Sequence, residues 1–298
     1  VVSSGIFNGI EQIEGGDVGD IDRLVKGLRR LLAAPRVGFD IETSTLRPYA
    51  KDSLLLSAAV SDGEYTLSFA VDHPRGWPDH LRRRVRQELT QCLADAGTKV
   101  CHTGAFEQEC VAEKLSPLLL RRTAWADTMA QCHALDERIG AKSLDDLTQM
   151  HFGFSLKAQS NIDRKNMLAA SVPDLLRYNG GDAKWTLKVY AKQAVPLREA
   201  PGLLREYHRL VRTAPTTVFS QIKGVPVDFP YARKVRKEFD DQVVMLERQL
   251  RATPEVQKFS QRFGAFSHSS TDHVTKLLRD ICKREEGRTS TGYSTDEG

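Results

Sequence analysis

The sequence predicts an α/β fold: a mixed β-sheet flanked by helices, followed by a mostly helical C-terminal part. Three observations predict it. Runs rich in β-branched and aromatic residues at 36–41, 54–61 and 65–71 read as strands, the last two joined by the hairpin signal Asp62-Gly63. Helical stripes flank these runs. Beyond Pro196 and Pro201 long helical patterns continue with no strand between them.

In chain order, residues 20–34 form the first helix, with Ile21, Leu24, Val25, Leu28, Leu31 and Leu32 on one stripe. Pro35 punctuates the approach to strand 36–41, and the hairpin 54–61/65–71 follows. Residues 79–94 read as a basic amphipathic helix and 99–102 as a short strand. Helices then dominate, at 105–115, 127–135, 144–151 with Ser143 as N-cap, and 174–190. The texture changes near residue 197. Past it, 203–221 and 231–250 are long helices, separated by the extended connector Gly224-Val225-Pro226-Val227-Asp228. The expected division is therefore 1–197 and 198–298.

At 298 residues, 40% hydrophobic and 28% charged, the chain has an ordinary globular composition. A formal net charge of +4 dictates no partner; basic runs such as Arg82-Arg83-Arg84 permit a polyanion without requiring one. No apolar run is long enough to span a membrane. Five cysteines with no CxxC pair, and an N-terminus that does not look like a signal peptide, give the expectation of reduced thiols in a cytosolic compartment.

Three acidic clusters carry the chemistry. In Phe39-Asp40-Ile41-Glu42-Thr43 the two carboxylates are two residues apart, so in a strand they share a face. Like charges that close raise each other's pKa unless a cation lies between them; an end-of-strand pair facing water is the alternative. Tyr178-Asn179-Gly180-Gly181-Asp182 puts Tyr178 and Asp182 on one helix face, and two adjacent glycines in a helix suggest close approach to its backbone. A helix break with Asp182 capping a second helix is the other reading. Glu107 follows Cys101-His102-Thr103-Gly104 in the first turn of a helix, where the helix dipole alone would favour it.

In this order the clusters resemble the three motifs of the DnaQ-like 3′–5′ exonucleases that use Tyr in the last motif, a ribonuclease H-like fold, as found in family A DNA polymerases. The segments at 127–129 and 142–147 resemble that fold's linking helices. The middle motif departs from the pattern: Thr103 stands where Asn is common and Glu107 where Asp is common, which moves the carboxylate about one bond outward. The C-terminal part, from Gly224-Val225-Pro226-Val227-Asp228 through Phe266–Ser270 and Val274–Leu278 to Thr291–Glu297, resembles the start of a polymerase thumb.

The resemblance implies two Mg²⁺ or Mn²⁺ ions, with Asp40 bridging both, Glu42 and Asp182 completing the tighter site, and Glu107 supporting the second. It implies that Tyr178 positions the attacking water and that Leu46 is a wedge between the last bases. Thr43, Thr103 and Phe106 are the further substrate contacts. The expected substrate is a single-stranded or frayed DNA 3′ end, cleaved to 5′-mononucleotides in bacterial or phage-infected cytosol. The nucleotide-binding polymerase motifs are not in the chain, so the expected remainder of a polymerase would lie elsewhere. The alternatives are an RNA-trimming enzyme like ribonuclease D and a non-catalytic DNA-binding module.

Overall fold

The computed structural model describes residues 5–138, 140, 142–160, 162–164, 166–283, 287–289 and 292–294. The chain divides into two compact units, residues 1–225 and 226–298.

The first unit is built on a six-stranded mixed sheet: β1 (Ile10–Ile13), β2 (Arg36–Thr43), β3 (Leu55–Ser61), β4 (Thr66–Ala70), β5 (Thr98–Cys101) and β6 (Trp125–Asp127) in the order β1-β4-β3-β2-β5-β6. The β2–β3 and β3–β4 pairs are antiparallel; β1 is parallel to β4, and β2, β5 and β6 are mutually parallel in sequence across the sheet. The hairpin is where the sequence places it: Gly63 takes φ +96°, and the Asp62 carboxylate accepts from the Glu64 and Tyr65 amides. The strands β1 and β6, four and three residues long, are not foreseen.

Alternation along β2 sorts its side chains. Val37, Phe39 and Ile41 are buried in the core with Leu24 and Leu28 of α1 (Val18–Leu31) and Val85 and Leu89 of α2 (Asp79–Asp95). Each contributes about 1.5–3 kcal/mol as an upper figure. Gly38, Asp40 and Glu42 face the other way. Across from the last two, Ala59 pairs with Asp40 and Ser57 with Glu42, and Ser68 pairs with Ala59. This face is lined by small residues because a helix lies close on it. A Cβ on Gly38 would stand 2.1 Å from the Ala183 carbonyl oxygen.

That helix is α7 (Val172–Glu199), which starts two residues earlier and runs nine further than the sequence suggests, with Ser171 as N-cap and Pro196 inside it. It is continuous through Gly180-Gly181, so the helix-break reading does not hold. The glycines are explained by close approach: a Cβ on Gly180 would meet Ile10 and Ser68, and one on Gly181 the Phe7 ring. The preceding helices are α3 (Ala105–Lys114), α4 (Leu119–Arg122), α5 (Thr128–Leu135) and α6 (Leu144–Phe152), the last with a full Ser143–Asp146 capping box.

Helix α8 (Pro201–Lys223) belongs to the first unit, whereas the sequence division near residue 197 assigns it to the second. The physical reason is packing: Val218 joins the main core, and Tyr207 is buried with Leu197 and Ala134. The second unit holds α9 (Phe229–Ala252), α10 (Pro254–Phe263) and α11 (Thr271–Lys276). Its core gathers Val256, Phe259 and Leu277 with Phe266 alongside. Of the Thr291–Glu297 signature only Gly292–Ser294 is described, as strand β8 paired with β7 (Gly287–Thr289); the rest lies outside the described residues.

Candidate active site

A cleft of about 920 Å³ opens at the C-terminal end of β2. It is lined by all nine sequence-predicted site residues, Asp40, Glu42, Thr43, Leu46, Thr103, Phe106, Glu107, Tyr178 and Asp182, and also by His102, Asp145, Lys157 and Arg164. Asp40, Glu42 and Asp182 each bring a carboxylate oxygen within 4.8 Å of the others. The geometry follows from the periods: two residues along β2 keep Asp40 and Glu42 on one face, and the four-residue step along α7 sets Tyr178 beside Asp182. The register shifts between Glu42 and Thr43, ending regular pairing at the cleft edge.

Burial dominates the electrostatics. It pushes Asp40 and Glu42 well above the usual carboxylate range, and the neighbouring carboxylates push further: Asp182 on Asp40, Asp40 and Asp182 on Glu42. Burial raises Asp182 to about 7, against the Tyr178 hydroxyl hydrogen bond and the Arg164 charge, which favour its anion. Arg164, exposed at the cleft, favours the anion of all three. Burial also raises the Tyr178 hydroxyl.

Glu107 stands apart from the trio but is raised by burial and by Asp40. It is 4% exposed, and its Oε2 has no hydrogen-bond partner among the described residues. A buried carboxylate oxygen without a donor is costly, and a cation in the cleft is the partner that fits it. The donor set is all oxygen, which suits a hard divalent ion.

The turn before α3 is strained: Thr103 adopts φ +68°, a region Asn tolerates and Thr does not favour. Asp127 holds it there. One carboxylate oxygen accepts from the Gly104 amide at 2.7 Å and the other from the Met129 and Ala130 amides at 2.7 and 3.1 Å, so the same side chain caps α5 and clamps the turn. Sequence reasoning placed Asp127 inside a helix and missed this role; Asp before Thr128 is an N-cap signal. Leu46 is 85% exposed at the cleft mouth, while Thr43 is buried with its hydroxyl donating to the Thr45 carbonyl. Of the nearby cations, Lys157 and Arg164 line the cleft, whereas Lys184 does not: its Nζ donates to the Asn8 carbonyl.

Among solved structures, the chain resembles the polymerase domain of Pol1 from M. smegmatis, in complex with DNA primer-template and dNTP (TM-score 0.64, 16% identity, 96% of this chain, 43% of that one). It also resembles Escherichia coli RNase D, an exoribonuclease (TM-score 0.52, 19% identity, 71% of this chain, 51% of that one). At these identities the likeness establishes the fold alone, a ribonuclease H-like mixed sheet flanked by helices. A curated relative, DNA polymerase I of Pseudomonas aeruginosa, is 25% identical over 230 residues, 74% of this chain and about a quarter of that protein. The 3'-5' exonuclease family model matches residues 18–194, from α1 into α7. That match spans more than half of the chain and takes in every carboxylate of the cleft, and the chain belongs to the 3′–5′ exonuclease family of DNA polymerase I-like proteins.

Proposed function

We propose that this chain removes nucleotides from DNA 3′ ends as the proofreading part of a family A polymerase, using two Mg²⁺ or Mn²⁺ ions held by Asp40, Glu42, Asp182 and Glu107. The observation that carries this is the convergence of three carboxylates from β2 and α7, with the unpaired Glu107 oxygen nearby. When bound, such ions stabilise the attacking and departing oxygens of an in-line displacement at phosphorus.

The residues supply the rest. Asp40 interacts electrostatically with Glu42, Asp182 and Glu107, which suits a shared ligand. Tyr178, anchored on Asp182, holds its hydroxyl where it orients the attacking water. Leu46 separates the last two bases, Phe106 offers a ring to the terminal one, and Thr43 and Thr103 contact the terminal nucleotide at the cleft wall. Arg164 and Lys157 meet the phosphates. The products are 5′-mononucleotides.

The test uses 5′-labelled single-stranded DNA and RNA of one sequence with Mg²⁺. The expected result is a ladder of 3′-shortened DNA with release of 5′-mononucleotides, arrest by EDTA, and slower loss of RNA. RNA degraded faster than DNA would instead favour a ribonuclease D-like enzyme, and intact DNA would leave only binding.

A further inference from the structure

Asn179 lies between Tyr178 and Asp182 in α7 yet does not line the cleft. It is completely buried, and both ends of its amide are engaged. Its Nδ2 donates to Asp40 Oδ2 at 2.6 Å, and its Oδ1 accepts from the Ser57 hydroxyl of β3 at 3.0 Å. The Asp40 carboxylate sets the amide's orientation, since a flip would turn Oδ1 against it, and the Ser57 hydroxyl, donating to Oδ1, holds the amide in that place. The bonds tie α7 to β2 and, through Ser57, to β3, beside the place where Gly38 lets helix and strand touch.

We infer that Asn179, locked by Ser57, is a positioning residue that presets Asp40 as a metal ligand. A carboxylate oxygen has two lone pairs, and committing one on Oδ2 to the amide fixes the carboxylate's rotation, so that its remaining lone pairs face the cleft. The same bond sets the spacing between Asp40 on β2 and Asp182 on α7, the distance on which a shared cation depends. Partners of metal-ligating carboxylates typically change affinity by about 10–100-fold when removed. The inference rests on the reading of Asp40, Glu42 and Asp182 as metal ligands.

Mn²⁺ binding to the full chain without DNA, followed by electron paramagnetic resonance, tests it. Asn179→Leu keeps the branched shape and removes the donor; its Mn²⁺ affinity should fall about 10–100-fold, with the far-ultraviolet circular dichroism of the parent. Ser57→Ala leaves the amide but unlocks it, so affinity should fall by a smaller factor, and this milder change decides the matter if Asn179→Leu does not fold. Parent-like Mn²⁺ affinity in folded Asn179→Leu, or in Ser57→Ala where Asn179→Leu does not fold, with the ion lost in Asp40→Ala, would reduce Asn179 to packing and leave the proposed activity standing. Parent-like affinity in Asp40→Ala would remove the metal reading and this inference together.

Discussion

Glu107 is the residue at which the chain departs most from the pattern it resembles, and its surroundings suit a carboxylate held for a cation: buried, near Asp40, with Oε2 unpaired. Glu107→Ala should lower turnover on single-stranded DNA by at least about tenfold, and Glu107→Asp should retain measurable cleavage; equal turnover in Glu107→Ala and the parent would return the residue to the helix dipole. Asp182 gives a stability prediction. Its folded value of about 7 lies above its ordinary one, chiefly through burial. Below pH 4 both states carry the proton. Between about 4 and 7 the folded, metal-free protein keeps a proton that the unfolded chain has released, so stability falls as pH rises through that window. The unfolding free energy of the parent relative to Asp182→Asn should decline from pH 4 to 7 without metal, and Mg²⁺ or Mn²⁺ at pH 7–8 should restore it. A flat difference would mean that Asp182 ionises normally. At this scale the sequence shows those side chains whose face is set by local period, Asp40 with Glu42 and Tyr178 with Asp182. It hides Asn179, whose partners lie 139 and 122 residues away.

Among elements, α7 and β2 determine the site, because one carries Tyr178 and Asp182 and the other Asp40 and Glu42. Their close approach depends on Gly38, where an added Cβ would meet helix backbone that cannot rotate away. Gly38→Ala should therefore destabilise the fold by about 1–3 kcal/mol and weaken Mn²⁺ binding, as measured by urea unfolding and by titration; an unchanged unfolding midpoint would mean that the helix shifts freely on the sheet. The double glycine was readable as a sign of close approach, but what approaches, Phe7 and Ile10 from the N-terminal segment, was not. The strands β1 and β6 were invisible for a different reason: four and three residues are too few for alternation to rise above chance, and pairing with β4 and β5 defines them.

At the scale of the whole molecule, the mixed sheet flanked by helices was legible because strand, hairpin and helix signals agreed with one another. The unit limit was not. The apolar residues of α8 show that the helix is amphipathic, and only the fold shows that Tyr207 and Val218 meet the sheet-bearing unit. In the proposed function, the carboxylates gathered by β2 and α7 perform 3′–5′ cleavage. Single-turnover shortening of 5′-labelled single-stranded DNA by the parent and by Asp40→Ala in Mg²⁺, with circular dichroism to establish folding, tests it most directly. The parent should shorten the strand from its 3′ end and a folded Asp40→Ala should not; parent-like cleavage by Asp40→Ala would overturn the assignment of these carboxylates.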